Sequence, residues 1–162
     1  MALQYSTIVR NAELDALETA IGTSPILRIR SGSAPANCAT ADSGTVLATM
    51  TLPSDWLAAA SSGSKAKSGT WQDSSADATG TAAHFRIYDS TGTTCHLQGT
   101  VTATGGGGDL TLDNTSIASG QSITINTFSI TAANASTGGG TTYAPSLDFS
   151  DVRNSMYIGL TL

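Results

Sequence analysis

The sequence predicts a mainly β protein: a β-sandwich or jelly roll of about eight short strands, preceded by one N-terminal α-helix. Three observations lead there. From residue 26 onward, short apolar or alternating runs are separated by Gly, Ser, Asp and Asn, the punctuation of strands and turns. Ala, Thr, Ser and Gly make up 86 of the 162 residues; threonine suits exposed strand faces, and the three smaller types suit close layers and tight turns. Only residues 6–21 carry a convincing helical signature.

That helix is defined at both ends. Ser6 or Thr7 can cap its start, Gly22 can take the left-handed conformation that ends it, and Pro25 blocks its continuation. Leu14, Leu17 and Ile21 fall on one side, while Val9, Ala12, Ala16 and Ala20 project from another, with Asn11, Asp15 and Glu18 between them. Two readings follow: the helix packs on its own domain and the alanines reflect helix propensity, or it is an arm that docks on a partner subunit. The corresponding organisation is an N-terminal helical arm over 1–24, a β-sandwich over 25–135, and a Gly-rich linker with a C-terminal strand over 136–162.

Candidate strands are 26–30, 45–52, 65–71, 83–88, 95–102, 109–112, 122–131 and 156–162. Alternation is clearest where Phe85 and Ile87 face one way against His84, Arg86 and Tyr88, and it continues in the pairs Leu97 with Val101, Leu110 with Leu112, and Ile123 with Ile125. Near Thr127 the phase slips to Phe128 and Ile130, which predicts a bulged, bent strand. The glycines at 105–108 read as a loop and those at 138–140 as a linker. In the last segment Met156, Ile158, Leu160 and Leu162 alternate with Tyr157, Gly159 and Thr161, so this apolar strand needs a sheet edge, in its own domain or in another copy.

Composition restricts function. Seven basic and twelve acidic residues give a net charge of −5, which argues against a nucleic-acid surface. Leu, Ile, Val and Phe total 30 residues, so the core is thin and stands to gain from neighbours. No run approaches the roughly 20 apolar residues of a membrane helix. The start lacks a signal-peptide pattern, so cytoplasmic synthesis is expected. Cys38 and Cys95 are too few for a disulfide scaffold; a reducing compartment keeps them as thiols, and a bridge between them would require an oxidising medium.

Chemistry-bearing residues are sparse. His84, His96 and Cys38 match no compact zinc motif, and adjacent Cys95 and His96 point to opposite faces of a strand, which denies them a direct hydrogen bond. No serine sits in a nucleophile elbow, and the 105–108 glycines precede Asp109 and a strand with no lysine or helix start, so they hold no phosphate. Asp109 and Asp113 flank one short strand, and Asp73, Asp77 and Asp89 suit Asx turns. Trp56, Trp71 and Tyr88 would make either a sugar-stacking platform or, for Trp56, a plug at one end of the sandwich. Catalytic, cofactor and metal residues are therefore expected to be absent.

The chain resembles small virion structural proteins of tailed bacteriophages. The likeness lies in STIVRNAELDALETAIG, in LRIRSGSAPANCATADSGTVLATMTLPSDW, and in GTAAHFRIYDSTGTTCHLQGTVTATGGGGDLTLDNTSIASGQSITINTFSIT, together about residues 5–133. The segment after residue 140 departs from the pattern. The resemblance implies a β-sandwich virion component without enzymatic activity, similar to the cement or decoration proteins that reinforce capsids. It implies a place on the capsid surface, assembly in the bacterial host cytoplasm, and the major capsid protein as partner. Self-association as a homodimer or homotrimer is expected, with neither nucleic acid nor membrane engaged. The candidate partner-binding residues are Leu14, Leu17, Ile21, Ala12, Ala16, Tyr157, Ile158 and Leu160. The alternative is a tail, neck or head-fibre component that binds a host glycan or receptor, and a β-sandwich hydrolase is a third class.

Overall fold

A computed structural model describes residues 4–134, of which Tyr5–Asn134 form one compact unit. The fold is mainly β with one N-terminal helix, and its principal sheet curls in the manner of a β-sandwich. Helix α1 (Thr7–Ile21) starts at Ser6, whose backbone is extended and whose hydroxyl accepts the Val9 N–H at 3.4 Å. It ends at Gly22, where φ is +89° and the N–H donates to the Glu18 carbonyl.

The strands are β1 (Ile26–Ser31), β2 (Val46–Thr51), β3 (Ser64–Ala66), β4 (Trp71–Asp73), β5 (Gly80–Tyr88), β6 (Cys95–Ala103), β7 (Leu110–Leu112), β8 (Ser116–Ile117), β9 (Ile123–Ile125) and β10 (Ser129–Thr131). The principal sheet runs β2-β1-β5-β6-β7, with β8 also paired to β5; β6 and β7 are parallel and the other pairs antiparallel. Two small sheets pair β3 with β10 and β4 with β9.

Two expected strands are each divided. The predicted strand 65–71 becomes the end of β3 and the start of β4, broken at Gly69, where φ is +65° and a Cβ would lie 2.8 Å from Pro53 Cγ. The predicted strand 122–131 becomes β9 and β10 in different sheets, so the phase slip at Thr127 marks a full break rather than a bulge. Both breaks share one cause: the paired chains 64–73 and 123–131 change course together to wrap the aromatic core.

That core lies on the concave face of the principal sheet. Leu27 pairs with Met50 and Ile87, and Ile29 pairs with Ala48 and Phe85, which places one apolar set on a single face. Trp56, Trp71, Phe128 and Phe85 form a chain of rings with centroids 6.0, 5.2 and 5.8 Å apart, the last contact edge-to-face. Strand β5 is buried on both faces, because residues 32–45 fold over the side that carries His84, Arg86 and Tyr88.

Candidate functional site

Helix α1 is not a detached arm. Leu14 and Ile21 are buried and Leu17 packs against the core, so this stripe is covered by the protein's own body, which corrects its expected role as a docking face. The reason is a cation missing from the sequence reading. Lys65 on β3 is only 2% exposed, and its Nζ lies 2.6 Å from Asp15 Oδ1 and 2.9 Å from Glu18 Oε2. Burial alone would lower the lysine pKa, but hydrogen bonds to Asp15 and Glu18 outweigh it and raise it. Asp15 is held below the usual carboxylate range, chiefly by the Lys65 hydrogen bond and then by the Ala60 N–H. Further ties come from Arg10 Nε to the Ala132 carbonyl at 2.9 Å, the Gly63 N–H to Asn11 Oδ1 at 2.8 Å, and Trp56 Nε1 to the Gly22 carbonyl at 3.2 Å.

The helix thus commits Asp15 and Glu18 to Lys65, leaves Glu13 exposed, and turns part of its apolar surface outward. Ala12 and Ala16 are exposed, in line with Ile8 at 81% exposure, Val9 at 42% and exposed Tyr5. This i, i+4 stripe is continuous, and Ile8, one turn before Ala12, was not singled out from the sequence although the same periodicity reaches it. Tyr157, Ile158 and Leu160 lie outside the described residues.

His84, Cys38 and Cys95 belong to a second cluster, on the convex face of the principal sheet, while His96 is exposed. Arg86, buried in β5, donates from Nε to Cys95 Sγ at 3.1 Å, from Nη1 to the Thr40 carbonyl and Asp42 Oδ1, and from Nη2 to the Cys38 carbonyl at 2.7 Å. Arg30 donates to the Ser43 carbonyl at 2.8 Å and to Asp42 Oδ2 at 3.1 Å, while the Tyr88 hydroxyl donates to Asp42 Oδ1 at 2.7 Å. His84 Nδ1 is 3.0 Å from the Gly32 carbonyl, which places its proton on Nδ1, and Gln98 Nε2 donates to the Pro35 carbonyl at 2.7 Å. These side chains satisfy the carbonyls of the 32–45 segment and pin it down.

The electrostatics of this cluster are those of a structural clamp. Burial pushes Asp42 up, but Tyr88, Arg30 and Arg86 outweigh it and hold the carboxyl below its ordinary range. Burial, then the neighbouring Cys38, pushes the Cys95 thiol up to about 11, against an opposing pull from Arg86. A thiol so protonated is a poor nucleophile at neutral pH. Burial lowers the His84 pKa, and Arg30 and Arg86 add to that effect against the Gly32 hydrogen bond. Among the described residues no three His, Cys, Asp or Glu side chains converge as a metal site. The residues missed from sequence were Arg30, Asp42 and Arg86; their signal was a pair of arginines at alternate positions of one strand, Arg28 and Arg30, opposite Arg86 in the next.

Of the two readings of the aromatics, the buried plug holds and the exposed platform does not: Trp56, Trp71 and Tyr88 are buried, and the Arg28 guanidinium lies 4.7 Å from the centroid of the Tyr88 ring. Concave surface lies elsewhere. A cavity of about 270 Å³ lined by Phe85, Leu97, Phe128 and Ile130 adjoins a larger one of about 450 Å³ bordered by Lys67, Gly108, Thr111 and Asn126. They share Asp109, Phe128 and Ser129 as lining. The Asp109 carboxylate is committed to the Thr100 N–H and hydroxyl, both at 2.8 Å, and so acts as a brace for β6. The groove is apolar at its floor and carries no converging acid–base set.

No family model, curated protein or solved structure matches this chain.

Proposed function

We propose that the chain is a non-enzymatic virion structural protein, a cement or decoration protein that binds the head shell of a tailed bacteriophage and stabilises it. One observation carries the binding half of this reading: α1 spends Asp15 and Glu18 on buried Lys65 and leaves Tyr5, Ile8, Val9, Ala12 and Ala16 outside. An uncharged stripe of that kind is a surface for close packing, and burying Ile8 fully is worth about 1.5–3 kcal/mol, with less from Val9, which is already more than half buried. The small alanines allow close helix approach. On a shell, a modest affinity at each repeated site is multiplied where several subunits are linked. The expected partners are the major capsid protein and further copies of this chain, and the expected place is the capsid surface, reached during assembly in the host cytoplasm.

Quantitative mass spectrometry of purified virions tests the reading. Hundreds of copies, counted against the major capsid protein, support a shell component. A dozen or fewer move it to neck, tail or fibre, and absence overturns the virion assignment. The face is tested separately by the pair Ile8→Asp with Ala12→Glu. These side chains touch solvent, so the fold is expected to stay intact by circular dichroism while shell occupancy drops at least tenfold. Unchanged occupancy would remove α1 from the interface.

A further inference from the structure

Cys38 and Cys95 carry free thiols and are half-buried. Two local devices bring them to the convex face of the principal sheet. The first is a bulge at the start of β6. Arg86 faces Gln98 and Ile87 faces Leu97, but Tyr88 faces Cys95, so His96 is an extra residue in the ladder. Strict alternation would set Cys95 on the core face with Leu97, and the extra residue re-aims it to the face of Arg86 and Tyr88. The second device is a turn at 37–40. Asn37 Oδ1 accepts the N–H groups of Ala39 and Thr40 at 2.9 and 3.0 Å, which fixes the backbone around Cys38.

Arg86 joins the two devices. Its Nε donates to Cys95 Sγ at 3.1 Å and its Nη2 to the Cys38 carbonyl at 2.7 Å, so one rigid planar group holds one cysteine by its sulfur and the other by its backbone. Both cysteines line a single surface cavity of about 220 Å³, together with Asp42, Tyr88 and Thr93. The side chains are neighbours: after burial, Cys38 does most to keep the proton on Cys95. The geometry points to Cys38 and Cys95 as an oxidation site, a dithiol that closes to a disulfide by exchange with a small-molecule disulfide and thereby locks the 32–45 segment to β6. The inference does not depend on any role in a virion.

Cys95 donates its S–H to the Leu97 carbonyl at 3.5 Å and is held protonated, so Cys38 reacts first. Its thiolate attacks one sulfur of the small disulfide, forming a mixed disulfide and expelling one small thiolate, which takes up the proton that Cys38 lost. The Cys95 thiolate, facing Arg86 Nε, then attacks the Cys38 sulfur. The Cys38–Cys95 bond forms, the mixed bond breaks, and the second small thiolate leaves with the Cys95 proton. Each cysteine sulfur loses one electron, and the two sulfurs of the oxidant gain them. The closed loop contains β2 to β5, so the bridge restricts chiefly the unfolded chain and favours the folded one.

The test equilibrates the full chain, purified reduced, with mixtures of oxidised and reduced glutathione, and reads intact mass and linked peptides after acid quenching. The expected product is a monomer lacking two hydrogens, with Cys38 joined to Cys95. At a fixed glutathione ratio, bridge over dithiol should be at least tenfold higher in buffer than in concentrated urea, because a bridge that suits the fold forms more readily within it. Oxidation should raise the thermal midpoint by at least about 5 °C and slow elastase cleavage within residues 32–45 at least tenfold, both reversed by dithiothreitol. A glutathione adduct that persists on either cysteine, a bridged dimer, or a ratio no higher than in urea would overturn the site. Equal cleavage of the two forms would overturn the lock. Cys38→Ala keeps the backbone carbonyl that Arg86 holds and should lose the oxidative shift in midpoint; an unchanged shift would overturn the bridge as its cause. The comparison of buffer with urea uses the parent alone, so it stays decisive even where the variant misfolds.

Discussion

Gly99 stands opposite Phe85 in the β5–β6 ladder, and a Cβ built there would lie 2.7 Å from Phe85 Cε1 and 2.9 Å from Asp109 Cβ. The ring lies across β6 where a side chain would otherwise stand, and it reaches Phe128 edge-on from that position. Gly99→Ala should therefore displace the ring and destabilise the protein by about 1–3 kcal/mol, the usual cost of overpacking a formed core. Urea unfolding followed by tryptophan fluorescence measures it; a loss below a few tenths of a kcal/mol would mean that the ring moves aside freely. Residue by residue, the inward set Phe85, Ile87, Leu110, Leu112, Ile123 and Ile125 was readable from alternation, and all six are buried. His84, Arg86 and Tyr88 share the other phase of β5, and alternation alone cannot reveal that a loop covers them. That information sits 48 and 52 residues upstream, in the Cys38 and Gly32 carbonyls, which bear no side-chain signature.

At the scale of elements, α1 is held to the body by an ion pair that helical periodicity cannot show. The sequence sets Leu14, Leu17 and Ile21 on one side, which is correct, and a docking arm and a packed helix share that pattern. Lys65 decides between them, because a lysine on a three-residue strand is 2% exposed only when something neutralises it. Lys65→Met should keep the volume, leave Asp15 and Glu18 facing one another without a cation, and cost about 1–3 kcal/mol. The loss should appear as earlier protease cleavage within residues 5–22, and Asp15→Asn should cost less because Asp15 is half in solvent. A Lys65→Met protein as stable as its parent would mean that the apolar contacts of Leu14 and Ile21 suffice. The divided strands are legible only in part: Gly69 interrupts one of them in plain view, but nothing near Thr127 distinguishes a bulge from a break. Register with β3 and β4, which are remote in sequence, makes that choice.

For the whole molecule, the shifted groups define a stability window in pH. Asp15, Asp42 and Asp89 are all held below the ordinary carboxylate value, so the unfolded chain binds their protons first; their contribution is complete above about pH 4 and is lost as pH falls through the folded values. Cys95 is raised from 9.0 to about 11 and Tyr88 is raised as well, so the unfolded chain ionises first on the alkaline side and stability falls as pH rises above about 9. Inside this window His84 adds a gentler slope. Its folded pKa is depressed below 6.5 by burial beside Arg30 and Arg86, with Asp42 opposing, so below that value the unfolded state takes up the proton and stability declines with falling pH. Protonation would also set a cation among two guanidiniums beneath the 32–45 segment, a repulsion that the hydrogen bond from Nδ1 to the Gly32 carbonyl only partly offsets. His84→Asn retains an amide donor near the Nδ1 position and removes the titration. Urea midpoints should therefore fall between pH 7.5 and 5.5 in the parent and stay level in His84→Asn. Equal slopes in the two proteins would place that titration at another group.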